Sequence, residues 1–266
     1  NGDVFMASTL IKNLYEHYQS PKIDLLVNDD TIAVAKLLPH TDYIHTFSYD
    51  KKHNGRWKQE KEIVKNIFRK YELSINLTSS DRSVLYAILA SKNSISAIEK
   101  SNKKSWWKKK LLTYYYFFDE TKHILCNNLE PLNILKIPHK VIQDSPNISN
   151  EIFDKVKSKL KKMRVTDFVI FHPSTQYSYK IYPKILRDEL LSYLSNLGIS
   201  ILITGSKNQI DSEIKEQLPS LPNIVDLMGE TTLEEYFSLS KLSLAYIGMD
   251  TLNMHVAAAQ NKRIFS

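Results

Sequence analysis

The sequence predicts an α/β fold with parallel sheets and a chain divided into two domains. Short apolar runs alternate with helical patterns along most of the chain, which is typical of a parallel sheet. A stretch rich in proline and polar residues interrupts this alternation between residues 137 and 149, so we place the domain boundary near residue 145. The 266 residues, 42% of them hydrophobic, are enough for two buried cores.

The first half, residues 1–145, mixes helical and strand patterns. Apolar side chains at helical spacing predict helices, and short apolar or aromatic runs between polar residues predict strands. The predicted strands are residues 23–27, 43–47 and 73–77, and the predicted helices are residues 4–15, 30–38 and 56–70.

The second half, residues 146–266, contains continuous apolar runs, as expected for strands buried on both faces. These runs are residues 167–171, residues 199–203 and a run that begins at residue 243. In an open α/β sheet, the loop after such a strand lies at the carboxyl edge, where ligands bind.

Composition narrows the choice of partners. The formal net charge of +7 favours nucleic acid, an anionic membrane face or a phosphorylated substrate. No apolar run reaches about 18 residues, so we expect no transmembrane helix and a cytoplasmic protein. The single cysteine, Cys126, excludes an internal disulfide, and its apolar flanks predict a packed core thiol.

The last apolar run leads into a loop suited to an anion. Asp250 and Thr251 can cap the following helix, and His255 falls within about its first turn. Free N–H groups at a helix start favour a phosphate. An ordinary capped helix has the same spacing, so the pattern alone leaves both interpretations open.

A similar loop follows residues 167–171. Ser174 and Thr175 can donate hydroxyl hydrogen bonds to phosphate oxygens, and Lys180 can offset the charge of a leaving diphosphate. The alternative is that Lys180 is simply solvated, as most loop lysines are.

These two segments resemble the donor-binding half of family 9 glycosyltransferases, the bacterial heptosyltransferases of lipopolysaccharide core assembly. The family pattern is Asp-Thr/Ser-Gly, two residues, then His and a small-residue run. The chain keeps Asp250, Thr251 and His255 in step, but Leu252 stands where the family has glycine. Glycine permits positive φ and close backbone approach to a diphosphate, so we expect Leu252 to be strained or the loop to shift.

The resemblance implies two Rossmann-like domains facing a cleft, the glycosyltransferase B arrangement, with acceptor binding in residues 1–145 and donor binding in residues 146–266. The implied donor-binding residues are Ser174, Thr175, Lys180, Asp250, Thr251, Leu252 and His255. The family register also places Asp211 at the donor ribose, with Glu213 as the competing candidate, and Thr231 beside the adenine.

Asp3 is the catalytic candidate that the resemblance implies. Gly2-Asp3-Val4 is similar to the family turn whose aspartate acts as general base in an inverting displacement. From the residues alone, an aspartate before a helix is most often an N-cap. In the family a short strand precedes this turn and further elements follow the position of Ser266, so we expect a chain trimmed at both ends.

On the acceptor side, Arg82 matches an arginine of the family, while Asn76, Thr78 and Ser79 replace its Asp, Gln and Gly. Residues 99–110 are basic and contain two tryptophans, which predicts a loop over the site. Lys103 and Lys104 in this run are candidate contacts to an anionic amphiphile at a membrane surface. The alternative is a solvated charged loop anchored by aromatics.

The activity that the resemblance implies is transfer of a heptose from ADP-heptose to a lipopolysaccharide or lipooligosaccharide core, at the inner membrane face. No His or carboxylate spacing suits a metal, so we expect a metal-independent enzyme without a cofactor beyond its nucleotide-sugar substrate. Two alternatives remain: a nucleic-acid-binding module built on the basic aromatic stretch, and a degenerate family member that binds nucleotide without transferring sugar.

Overall fold

A computed structural model describes residues 1–52, 55–141, 144–175 and 177–266. The chain divides into two compact units, Asp3–Ile142 and Gln143–Ser266. Both contain parallel strands connected through helices, so the predicted α/β fold is confirmed. Residues 142 and 143 of the predicted linker lie outside the described residues, and the assignment of acceptor and donor roles to the two halves remains a prediction.

The first unit contains two small parallel sheets. The strands are β1 (Asp24–Asn28), β2 (Tyr43–Phe47), β3 (Tyr71–Asn76), β4 (Ser91–Ile98) and β5 (Tyr114–Phe117). β1 pairs with β2, and β4 lies between β3 and β5. The sequence analysis missed β4, because its buried serines at positions 91, 94 and 96 interrupt the apolar pattern.

Seven helices accompany these strands in the described part of the first unit. They are α1 (Gly2–Met6), α2 (Ser8–His17), α3 (Ile32–Ala35), α4 (Arg56–Ile67), α5 (Asp81–Ala90), α6 (Asn102–Leu111) and α7 (Ile124–Ile134). The predicted loop at residues 99–110 is wrong, because most of it forms α6. Cys126 is exposed rather than packed in the core, because the buried face of α7 is formed mainly by its neighbours from Asn127 to Leu132.

The second unit is a single five-stranded parallel sheet. Its elements are α8 (Asn150–Lys162), β6 (Phe168–His172), α9 (Lys184–Asn196), β7 (Ser200–Ile203), α10 (Gln209–Glu216), β8 (Ile224–Asp226), α11 (Leu233–Leu242), β9 (Ala245–Gly248), α12 (Leu252–Ala259) and β10 (Arg263–Phe265). The strand order is β10-β9-β6-β7-β8.

The core of this unit forms around its central strands. Val169 and Phe171 of β6 pack with Ile201 and Ile203 of β7, and Leu191 of α9 covers them. This burial on both faces explains why β6 and β7 were recognisable as continuous apolar runs.

None of the helices in the described ranges combines the length and the apolar character needed to cross a membrane.

Candidate functional site

The strand order of the second unit creates one topological switch point. From β6 the chain builds the sheet outward through β7 to β8, and it then returns to the other side of β6 to add β9. The loops that follow β6 and β9 therefore leave the sheet in different directions, an arrangement that in open α/β sheets forms a crevice outside the carboxyl ends of the strands. This is where open α/β sheets bind ligands. Both segments highlighted in the sequence lie here.

Gly248 makes close contact between the two strands possible. It ends β9 opposite His172, the last residue of β6. A Cβ at Gly248 would lie 2.3 Å from the His172 carbonyl oxygen, and the φ of Gly248 is +154°. The same carbonyl accepts a hydrogen bond from the Met249 N–H at 3.2 Å. Only glycine fits this position, which the sequence analysis did not identify.

The start of α12 faces this edge. The Thr251 hydroxyl caps the helix and accepts a hydrogen bond from the Asn253 N–H at 3.3 Å. The exposed Asp250 carboxylate lies 3.5 Å from Nε2 of His255. The structure therefore brings these three predicted residues, Asp250, Thr251 and His255, together around one helix N-terminus, where the positive end of the helix dipole favours an anion.

Leu252 is the first residue of α12 and is not among the described residues with positive φ. Of the two expected alternatives, the strained Leu252 is therefore excluded, and a shifted loop remains a prediction. Thr251 makes the turn in an extended conformation, with φ of −140°, so the leucine enters the helix with an ordinary helical backbone. Its proposed contact with a donor remains a prediction.

The hydroxyl groups after β6 already have protein partners. Ser174 and Thr175 are both buried. The Ser174 hydroxyl donates to the Asp211 carboxylate, and the Thr175 hydroxyl donates to the Tyr177 carbonyl at 2.7 Å. In this conformation the two hydroxyls stabilise their own loop, and a contact with phosphate would require one of these bonds to be exchanged.

Asp211 connects the loops after β6 and β7. Its carboxylate also accepts hydrogen bonds from the N–H and hydroxyl of Ser206, at 2.8 and 2.7 Å. At 3% exposure it does not face solvent. Its ribose role remains a prediction, but the competing candidate, Glu213, is the exposed carboxylate of the two.

The other two donor candidates lie near the same sheet edge. Lys180 ends a 3₁₀ turn at Ser178–Lys180 and is exposed, with its ammonium 5.9 Å from the ring centroids of both Tyr177 and Tyr179. Thr231 follows β8 and directly precedes Thr232, which caps α11 in a capping box with Glu235.

The first unit contains a cavity of about 600 Å³ between β1 and β3. The wall of the cavity contains many aliphatic side chains and also polar groups, among them Asp3 and Arg82. Asp3 is exposed in the first turn of α1, and the N-cap position of this helix is Asn1, whose side chain makes no capping hydrogen bond. Lys103 and Lys104 are exposed on α6 and do not line this cavity.

Three side chains contact the guanidinium of Arg82 and fix its position. Its Nε lies 2.9 Å from the Glu60 carboxylate and 2.9 Å from the Tyr86 hydroxyl, and its guanidinium stacks 4.6 Å from the centre of the Phe47 ring. Burial, together with a hydrogen bond to Glu60, raises the pKa of Tyr86 to about 12. The Nη2 atom of Arg82 is buried without a hydrogen-bond partner in the described structure. The guanidinium therefore retains donor capacity.

Comparisons with family models, with curated proteins and with solved structures all indicate the same protein family. The family model described as glycosyltransferase family 9 (heptosyltransferase) matches residues 62–266. Lipopolysaccharide heptosyltransferase 3 of Escherichia coli K12 is 25% identical over 276 residues, covering 100% of this chain and 79% of that protein. The solved family 9 glycosyltransferase of Veillonella parvula aligns with a TM-score of 0.80 and 19% identity, covering 99% of this chain and 76% of that one.

A second similar structure is the ADP-heptose lps heptosyltransferase II of Escherichia coli. It aligns with a TM-score of 0.76 and 18% identity, covering 99% of this chain and 80% of that one.

His172, at the end of β6, is a partly buried titratable group. Its Nδ1 lies 3.1 Å from the Thr204 hydroxyl. Burial lowers its pKa to about 4, although the nearby Asp211 carboxylate partly opposes this shift. The imidazole is therefore neutral at pH 7.

We expect this histidine to make stability depend on pH. The unfolded chain binds a proton near pH 6.5 and the folded chain only near pH 4, so stability falls as pH decreases through this window. From pH 7 to pH 5.5 the loss from His172 is about 1.2 kcal/mol. Urea unfolding followed by circular dichroism at both pH values measures it. The variant His172→Asn should lose that much less stability over the same interval, and an equal loss in both proteins would contradict the assignment.

Proposed function

The chain belongs to glycosyltransferase family 9, the heptosyltransferase family, and on that premise we propose that it transfers a heptose from ADP-heptose to a lipopolysaccharide core acceptor. It is a glycosyltransferase of lipopolysaccharide biosynthesis, as its relatives are. The donor is proposed because the name of the similar Escherichia coli heptosyltransferase II contains ADP-heptose. The acceptor is proposed because both Escherichia coli relatives are lipopolysaccharide heptosyltransferases.

The observation that carries this proposal is the switch-point crevice of the second unit. The ADP diphosphate is proposed to bind at the N-terminus of α12, which Thr251 caps and where the positive end of the helix dipole favours an anion. The exposed Lys180 supplies positive charge to the diphosphate. The absence of a side chain at Gly248 keeps the β6 and β9 backbones close enough to form the floor of this site.

The proposed reaction is a single inverting displacement. Asp3 accepts the proton of an acceptor hydroxyl as that oxygen attacks the anomeric carbon. The new C–O bond forms on the face opposite the diphosphate, and the bond to the diphosphate oxygen breaks with its electron pair leaving on ADP. Lys180 offsets the charge that develops on ADP. Arg82, with its free Nη2 donor, is proposed to bind an anionic group of the acceptor.

Incubation of the purified protein with ADP-heptose and heptose-deficient lipooligosaccharide tests the function directly. Mass spectrometry should detect one added heptose together with stoichiometric ADP. Binding of ADP-heptose without any transfer would instead support the degenerate family member. Metal independence remains a prediction that the same assay addresses when chelator is added.

Asp3→Asn should reduce transfer by about two to four orders of magnitude, because loss of a general base typically has this effect. ADP binding, measured by calorimetric titration, should change by less than about twofold, since the base acts on the acceptor. Asp167→Asn removes the same charge at an exposed position and serves as the control. Turnover retained in Asp3→Asn would exclude Asp3 from the mechanism.

Lys180→Ala should weaken ADP binding about tenfold, which corresponds to about 1.4 kcal/mol for a lost charge-assisted contact. Lys104→Ala, a change of the same charge on α6, should leave ADP affinity unaltered because Lys104 belongs to the first unit. Calorimetric titration of both variants decides the point. Equal ADP affinity in Lys180→Ala and the unchanged protein would show that this lysine does not contact the diphosphate.

We also propose peripheral contact with the cytoplasmic face of the inner membrane. An exposed aromatic and basic surface, the α6–β5 face, supports this proposal. Lys109 lies 5.2 Å from the centre of the Phe117 ring, and Lys110 lies 5.7 Å from that of Trp106. Trp106 and Phe117 are 59% and 43% exposed. Aromatic rings suit the headgroup level of a bilayer, and lysines attract anionic lipids.

Lys109→Gln combined with Lys110→Gln should weaken binding to vesicles of anionic phosphatidylglycerol and neutral phosphatidylcholine by roughly 30-fold, from about 1 kcal/mol per lysine. The pair Lys58→Gln and Lys61→Gln removes two exposed charges from α4 and should have little effect. Co-sedimentation measures both. Failure to bind anionic vesicles, or stronger salt-sensitive binding to a single-stranded oligonucleotide, would contradict the membrane proposal.

A further inference from the structure

Lys108 differs from the other lysines of α6 because its side chain is completely buried. An ammonium group has three protons to donate, and in Lys108 each has a partner. It donates hydrogen bonds to the Ser79 carbonyl at 2.5 Å and to the two Glu99 carboxylate oxygens at 2.8 and 2.9 Å, and it forms an ion pair with the Asp81 carboxylate at 2.8 Å. The sequence gives no sign of this, because Lys108 begins the run Lys108-Lys-Lys110.

The three partners come from separate parts of the first unit. Ser79 belongs to the turn between β3 and α5, Asp81 is the first residue of α5, and Glu99 directly follows β4. One ammonium group therefore connects α6 to the end of β4 and to the turn that leads into α5. Without it, two carboxylates would repel each other across a partly buried space, and the Ser79 carbonyl would lose its charged donor.

The same turn and the start of α5 form part of the cavity wall. Ser79, Arg82 and Ser83 line the cavity, whereas Lys108 does not. A further hydrogen bond joins this turn to α5, because the Thr78 hydroxyl donates to the Ser83 hydroxyl at 2.7 Å. Lys108 thus contacts the turn from outside the cavity and limits how far it can move.

We propose that Lys108 is a positioning residue for acceptor binding: it fixes the β3–α5 turn and the start of α5, residues 78–83, so that Arg82 and Ser83 face the acceptor. This inference rests on the proposed function, since it assumes that the first unit binds the acceptor. Lys108 does not touch substrate and acts only through the turn that it holds.

The test must separate positioning from a general effect on folding. Lys108→Met alone leaves Glu99 without its partner, which destabilises the fold. Lys108→Met combined with Glu99→Gln removes both charges while it keeps side-chain size, and buried pairs replaced in this way often retain stability. The control is Lys58→Met combined with Glu62→Gln, the same two changes at exposed positions of α4.

We expect the Lys108→Met and Glu99→Gln protein to show an acceptor KM raised about tenfold or more, with its affinity for ADP-heptose changed less than about twofold. Amide hydrogen exchange in residues 78–83 should be about tenfold faster than in the control. If the variant folds and exchange in residues 78–83 is no faster than in the control, the inference is overturned. A lack of transferase activity in the protein without substitutions would refute only the proposed function, and the exchange result would still decide the inference. Faster exchange with an unchanged acceptor KM also overturns it.

If the double variant does not fold, Asp81→Asn gives the answer. The Asp81 side chain is 70% exposed, so its neutralisation leaves Lys108 paired with Glu99. We expect a smaller rise in acceptor KM, about threefold, with faster exchange in the same turn and with ADP-heptose affinity unchanged. An unaltered KM and unaltered exchange in Asp81→Asn would overturn the inference.

Discussion

The close approach of two backbones at the centre of the second sheet is the constraint on which the proposed donor site depends. Gly248 places no side chain against the His172 carbonyl, and this lets the Met249 N–H bond to that oxygen. Strands β6 and β9 can then end side by side, so their loops diverge from a common edge. Because only three residues separate the end of β9 from the start of α12, the positive end of the helix dipole lies at the same sheet edge. A side chain at position 248 would force the strands apart and move the helix with them.

Buried charges fix the loops around this framework in both units. Asp211 joins two loops of the second unit, and Lys108 joins three segments of the first. Arg187 of α9 is 2% exposed and donates to the Gln217 carbonyl at 3.0 Å. A charge removed from water without partners costs several kcal/mol, so each of these groups requires a nearly complete set of hydrogen bonds. The loops that provide those bonds are held in place, although their sequences are polar and look like ordinary surface.

The sequence predicted the strands that are buried on both faces, because such strands appear as continuous apolar runs. It failed where polar side chains are buried and form their hydrogen bonds within the protein. Strands β6 and β7 are buried on both faces, and their apolar runs were recognised. Strand β4 was missed because its serines bond locally: the Ser91 hydroxyl donates to the Glu72 carbonyl at 2.9 Å, and the Ser96 hydroxyl donates to the Ala97 carbonyl at 2.8 Å. No pattern of residue types reveals such partners. The helix α6 was mistaken for a loop for the same reason, since a buried lysine cannot be told from its exposed neighbours by composition.

Resemblance to a family shows which residues correspond to its binding residues. Whether each of these side chains can bind a ligand depends on whether its hydrogen-bonding atoms are still free of protein partners. Asp250, Thr251 and His255 were predicted together and do lie together, with the Asp250 side chain 75% exposed. Ser174 and Asp211 also lie at this edge, yet the Ser174 hydroxyl already donates a hydrogen bond to the Asp211 carboxylate. A diphosphate is repelled by the Asp250 carboxylate, so Asp250 is better suited to sugar hydroxyls than to phosphate. For the proposed diphosphate, Lys180 supplies a positive charge and the start of α12 supplies the positive end of a helix dipole. In the proposed donor complex, this charge distribution favours an orientation in which the diphosphate lies over the helix start and the sugar lies toward Asp250.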